Sequence, residues 1–276
     1  MMIKGRKPGS MVLYILVHLS AVITAGILLS LVGYILIKGV PNIHASLFAW
    51  KFSTDNMSML PAMINTLFMT VLSLAMAVPA GIFSAIYLTE YSSRSSRIVK
   101  FIRLTTETLS GIPSIVYGLF GYILFVITLG WSYSLIAGAV TLAIMILPLI
   151  IRTTEEALLS VPDAYREGSF GLGAGKLHTI FRLILPCAVP GILAGMILAV
   201  GRIVGESAAL IFTAGTVAKV PGSIFDSART LSVHMYALMS EGLYTNEAFA
   251  TAVVLLVLVI GINALSGLVA KKLAMR

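Results

Sequence analysis

Arg202 and Glu206 stand four residues apart inside an apolar run, "GRIVGESAALIF". On one helix they share a face, within reach of an ion pair. A charge near the middle of a bilayer costs about 2.5–3.5 kcal/mol on insertion scales, so such residues ordinarily face a bundle interior or a wet path. A guanidinium brings a fixed charge and a planar fork that matches carboxylate or phosphate oxygens. The pair therefore suits either anion handling or a structural bridge between helices. Arg152 closes another apolar run, "LPLIIRTTEE", where a basic residue ordinarily anchors the end of a span. No catalytic set accompanies them. His18, His44, His178 and His234 are scattered without ligand spacing, and the single cysteine, Cys187, builds neither a disulfide framework nor a thiolate cluster.

A second group lies in "REGSFGLGAGKLHTIFRLILP", Arg166 to Pro186, a charged, glycine-rich stretch between two apolar runs. "GLGAGK" is not a phosphate-cradling loop. That motif needs glycine five residues before the Gly-Lys pair and serine or threonine after it, and those positions hold Phe170 and Leu177. The dinucleotide pattern fails as well, because its third glycine falls at Lys176. Nothing here binds a nucleotide by either route.

The elements that carry these residues are membrane spans. Of 276 residues, 58% are hydrophobic and only 11% charged, and the mean hydropathy is +1.00. That composition excludes an ordinary soluble domain. Six apolar runs, near 11–37, 61–88, 107–130, 133–151, 183–213 and 248–270, are each long enough to cross about 30 Å of hydrocarbon as a helix. The 183–213 run is long enough to hold a bend or a break. The first run is too long for a signal-peptide core and reads as an uncleaved anchor. Pro79, Pro113, Pro148, Pro186 and Pro190 lie in or beside spans as bends, and Gly111 with Pro113 suggests a broken helix.

Six spans place the N-terminus, the 89–106 loop, the 152–182 insert and the C-terminus on one side. Most of the Lys and Arg fall there, among them Lys4, Arg6, Lys7, Arg94, Arg97, Lys100, Lys271, Lys272 and Arg276. By the positive-inside rule this side is cytoplasmic. The formal charge of +8 is thereby spent on topology, and nucleic-acid binding is not indicated.

Within the insert, "SVPD" reads as a helix start with Ser160 as N-cap, proline in the first turn and Asp163 at the third position. Gly171 or Gly173 stops that helix. A second helix places Leu177, Ile180, Phe181 and Ile184 on one face and ends against Pro186. Ala164 and Gly168, four apart, let another surface approach the first helix closely.

The insert resembles the EAA loop of ABC-importer permeases: Glu-Ala-Ala, three residues, glycine, nine residues, then Ile-x-Leu-Pro. Here Glu167, Gly173, Leu185 and Pro186 match, Gly168 and Ser169 replace the two alanines, and Leu183 replaces isoleucine. "LSGIPSIVYGLFG", "IRTTEEALLSVPDAYREGSFGLG" and "GRIVGESAALIFTAG" further resemble phosphate-specific importer permeases, most closely the A-type (PstA-like) subunits. The likeness runs from about residue 60 onward.

That resemblance implies an all-α membrane protein with the six-helix type I ABC importer transmembrane domain (MetI-like). Residues 1–60 would form a cytoplasmic tail, first span and outer loop, and 61–276 the permease core. It implies a non-catalytic permease of an ATP-driven phosphate importer, with Arg202, Glu206 and Arg152 on the substrate pathway. Ala164, Arg166, Glu167, Gly168, Ser169 and Gly173 would dock the ATPase. No cofactor or metal is implied in this chain; ATP sits on the partner. Implied partners are a C-type phosphate permease, a dimer of ATP-binding subunits, an extracytoplasmic phosphate-binding protein, phosphate and the lipid bilayer of a bacterial inner membrane. The outer 216–247 segment is the expected contact for the binding protein. An importer permease for sulfate, molybdate or an amino acid, or an ion-coupled secondary transporter, stays open as an alternative.

Overall fold

The computed structural model describes residues 8–92 and 96–274. Lys4, Arg6, Lys7, Arg94 and Arg276, used above for orientation, lie outside the described residues. All regular structure among the described residues is helical. Helix α1 spans Pro8–Gly39, and α2 spans Leu60–Ile86 with a wider π turn through Tyr91. Next come α3 (Arg97–Ser110), α4 (Ser114–Gly121, extended by a π turn to Thr128) and α5 (Leu135–Leu159). The insert contributes α6 (Asp163–Gly171) and α7 (Lys176–Thr179), which runs through a π turn into α8 (Leu185–Gly205). Short α9 (Ala208–Thr213) and α10 (Leu231–Glu241) precede α11 (Thr245–Ala274).

Among the described residues, five helices are long and apolar enough to cross a membrane. The expected third span, 107–130, is the exception: only its start falls in α3, which occupies most of the expected 89–106 loop, and the rest is α4, the two helices meeting at 102° across Gly111–Pro113. Proline disfavours a helical conformation in the residue before it, so Ile112 cannot carry the helix forward. A sixth crossing exists only if the bent pair is taken as one span.

Helix α5 is the axle. Its apolar window is 67% buried, against 0% for α1. Ser134 caps its start by accepting a hydrogen bond from the Ala137 N–H, and Leu142, Met145, Ile146 and Ile150 form its buried stripe. Helices α2 and α8 flank it through glycines. Gly81 sits against Ile150, and Gly195 and Gly191 against Thr153 and Ala157, each with no room for a Cβ. Small residues at helix contacts are how membrane bundles gain close backbone approach. Helix α1 leans on α11, with Tyr34 edge-on to Phe249 at 5.6 Å.

Two boundary expectations are corrected. Helix α5 does not end at the expected span limit of 151 but continues to Leu159, which places Arg152 inside it. The chain also passes Pro186 without a stop. The Leu185 N–H reaches back to the Ile180 carbonyl in a π turn, and the helix proceeds to Gly205.

Candidate functional site

Antiparallel packing of α8 on α5 sets the depth of each charged residue. Gly195 lies beside Thr153, and Arg202 is seven residues further along α8. At 1.5 Å per residue it sits roughly 10 Å deeper than Arg152 along the bundle. Both arginines line one cavity of about 650 Å³ between α3, α5 and α8. The same cavity receives Arg103 and Glu107 from α3, and Glu155 and Glu156 from α5. Cationic and anionic side chains thus meet in one place, at two levels.

The expected Arg202–Glu206 pair does not form. Helix α8 ends at Gly205, and Glu206 is extended (φ −74°, ψ 128°), so the shared helical face is lost. The buried Glu206 carboxylate turns to α9, where it accepts the Ala209 N–H at 3.0 Å, and its carbonyl accepts the Ser232 hydroxyl. Glu206 is a joint between α8, α9 and α10, and it does not line the cavity. Arg202, in the last turn of α8, has no carboxylate within ion-pair distance among the described residues.

Arg152 donates from Nε to Glu156 at 3.0 Å, one turn along α5, and both side chains are well exposed. Arg103 and Glu155 form a further ion pair across α3 and α5, with Glu155 largely buried. Sequence reasoning counted Arg103 among the positive-inside charges and gave neither residue of that second pair a part in the pathway; the structure packs α3 against α5 and brings them together.

The insert divides the expected docking residues into two groups. Ala164, Glu167, Gly168 and Gly173 are exposed. Gly173 closes α6 in the left-handed conformation (φ +83°), with its N–H on the Phe170 carbonyl, as the sequence suggested. Beside them Tyr165, Phe170, Leu177 and Leu172 present apolar surface, Leu172 being 91% exposed. Arg166 and Ser169 point the other way. Ser169 shares a hydrogen bond with Thr179 at 2.8 Å. Arg166 donates to Glu90 at the end of α2 (2.7 Å), to the carbonyls of Leu158 and Val161, and to Asp163. It ties the insert to α2, reinforced by Lys176 over the Tyr91 ring.

Two local readings also change. Ser160 is not the N-cap of α6. It closes α5, donating its hydroxyl to the Ala157 carbonyl, and α6 starts at Asp163 behind Pro162 with no side-chain cap. On the second insert helix Ile180 and Ile184 are buried, but Leu177 and Phe181 are exposed, so the buried stripe is narrower than the face drawn from the sequence.

At the opposite end of the bundle, buried His234 on α10 meets Arg229 at 3.3 Å. Phe52 lies edge-on to the imidazole and beneath the guanidinium. Burial, and then the neighbouring Arg229, pushes the His234 pKa down to about 4.

A multi-pass bundle with a helical insert and a charged cavity defines a membrane permease of the ABC-importer type. Residues 77–275 match the family described as "Binding-protein-dependent transport system inner membrane component", and the chain belongs to that family. It is similar to the probable ABC transporter permease protein YqgI of Bacillus subtilis, 36% identical over 253 residues and 84% of each chain. It is also similar to the phosphate transport system permease protein PstA of Mycobacterium leprae, 37% identical over 208 residues, 73% of this chain and 67% of that one. The fold resembles that of a bacterial alginate ABC transporter (TM-score 0.72, 17% identity, 96% of this chain and 95% of that chain). A second likeness is to the MetNI methionine ABC transporter in an inward-facing form (TM-score 0.62, 19% identity, 78% and 94%).

Proposed function

We propose that this chain is the membrane-spanning, non-hydrolytic subunit of an ATP-driven phosphate importer, set in a bacterial inner membrane with its insert in the cytoplasm. The observation that carries the reading is the cavity that collects Arg152 and Arg202 at two depths beside one helix. Phosphate leaving bulk water needs fixed cationic donors, and guanidinium forks supply them. Glu206 supports the pathway indirectly, by fixing the turn that ends α8 just beyond Arg202. Similarity to permeases named for phosphate transport supports the substrate.

Force enters through the insert. The exposed Ala164–Glu167–Gly168 face of α6 and the exposed apolar residues around Leu172 are suited to docking in a groove of a separate ATPase. Arg166 and Ser169 act behind that surface, relaying its movement to α2 and α7. A second, related permease would complete the pathway, and a phosphate-binding protein would dock around the far-end 216–247 segment. Closure of the ATPases on ATP would then switch access from one side to the other.

The test is reconstitution with these partners in vesicles, measuring ATP-driven uptake of labelled phosphate with sulfate and molybdate as competitors. Phosphate uptake that falls at least 10-fold with Arg202→Gln and is lost with Glu167→Lys, at normal membrane levels of the chain, is expected. Wild-type uptake by Arg202→Gln, or uptake that follows an ion gradient without ATP, rejects the reading.

A further inference from the structure

The cavity contains more carboxylates than an anion pathway would be expected to tolerate. Arg103, Arg152 and Arg202 are balanced by Glu107, Glu155 and Glu156. Two of the arginines are already held, Arg152 by Glu156 and Arg103 by Glu155. The second hold is incomplete. Glu155 takes Nη2 of Arg103, while Nε of that guanidinium is buried with no acceptor. These two nitrogens form the edge that normally grips a carboxylate or phosphate with two parallel bonds. Arg103 therefore lines the cavity with its side chain partly exposed, while one half of its two-toothed grip is enclosed and unfilled and the other half is filled from within the protein. A buried donor without an acceptor is costly, and the acceptor missing here has the chemistry of an oxyanion.

We propose that Arg103 is a third substrate-contacting arginine, and that Glu155 holds its place by supplying negative charge until a tetrahedral oxyanion arrives. The proposal deepens the preceding reading and rests on the same cavity. Arg202, with no carboxylate of its own, meets the oxyanion first. As the anion descends it displaces Glu155 from Arg103, taking both nitrogens of that edge, and Glu156 yields Arg152 in the same manner. The exchange trades one anion for another at each arginine, so the charge balance of the cavity is kept throughout. It also joins α3 to α5 only while substrate is absent, because Arg103 sits on the bent segment and Glu155 on the central helix. Substrate arrival thereby loosens the bend.

The experiment uses the full chain in vesicles with its partner subunits and compares Arg103→Lys, Arg103→Gln, Glu155→Gln and the exchange Arg103→Glu/Glu155→Arg. Uptake of phosphate and ATP hydrolysis are measured together. Arg103→Lys keeps the ion pair but loses the fork, and uptake is expected to fall at least 5-fold in a normally assembled complex. Glu155→Gln frees Arg103, so ATP hydrolysis without substrate is expected to rise 3-fold or more. The exchanged pair restores charge balance but puts the cation on the wrong helix, and uptake is expected to stay below a tenth of wild type. Wild-type uptake by Arg103→Lys, or full recovery in the exchanged pair, makes the bridge merely structural and overturns this proposal alone. Wild-type vesicles that take up neither phosphate nor sulfate overturn the importer reading and this proposal with it.

Discussion

Replacing Glu90 or Arg166 tests how the insert is attached to the bundle. Their ion pair is well buried, with 8% of the Glu90 side chain and 15% of the Arg166 side chain exposed. Breaking a buried pair by removing one partner costs about 3–5 kcal/mol, because the other charge is left uncompensated. The two removals are not equivalent. In Glu90→Gln, Arg166 keeps the Leu158 and Val161 carbonyls and the exposed Asp163 carboxylate, so the loss falls below that range, to about 2–3 kcal/mol. Arg166→Ala strands Glu90 and frees both carbonyls, which puts it at about 4 kcal/mol. Neither residue touches the cavity, so the damage is local to α6 and its junction with α2. Hydrogen exchange of the α6 amides in the detergent-solubilised full chain reads it directly, since local opening follows local stability. At about 1.4 kcal/mol per decade, exchange accelerates roughly 100-fold for Glu90→Gln and more for Arg166→Ala. A double-mutant cycle with Glu90→Ala and Arg166→Ala should return a coupling of about 2 kcal/mol or more. Coupling under about 0.5 kcal/mol, with α6 exchange unchanged, would refute the claim that this pair anchors the insert.

Three other outcomes are expected. Gly168→Ala fills open space on an exposed turn of α6 and should slow exchange there by about 0.5–1 kcal/mol, a helix-propensity gain. The folded-state pKa of His234 is about 4, below its unfolded value, so the unfolded state binds the extra proton between pH 6.5 and 4. Far-end stability is then full above pH 6.5 and declines by about 3 kcal/mol as the pH falls to 4; thermal melts across that window should lose this slope in His234→Gln. Gly195→Val drives a side chain into Thr153 where no Cβ fits; α8 and α5 must separate, at a cost of about 1–3 kcal/mol or more, seen as a lower melting temperature.

Much of this protein is legible in one dimension because a bilayer imposes one-dimensional rules. A crossing helix must satisfy its own backbone polar groups, so five of the six apolar runs each hold one helix long enough to cross, the 183–213 run breaking after Gly205. Gly173 is equally local, since a left-handed helix end asks for glycine wherever it occurs. The EAA-type spacing located the insert for the same reason: it is a pattern of neighbours.

Partnerships that depend on where a helix stops, or on which helix lies alongside, were decided only in three dimensions. Arg202 and Glu206 are four residues apart, yet one backbone turn at Gly205 sends them to different tasks. Arg166 looked like surface chemistry until Glu90, 76 residues earlier, was found against it. Arg103 carried no signal beyond its charge, and the packing of α3 against α5 brings it to Glu155. Sequence sets the apolar period and the local caps, through forces that act within a few residues. The pairing of distant charges follows from helix packing, because a buried ion accepts whichever opposite charge the close-packed bundle brings within reach.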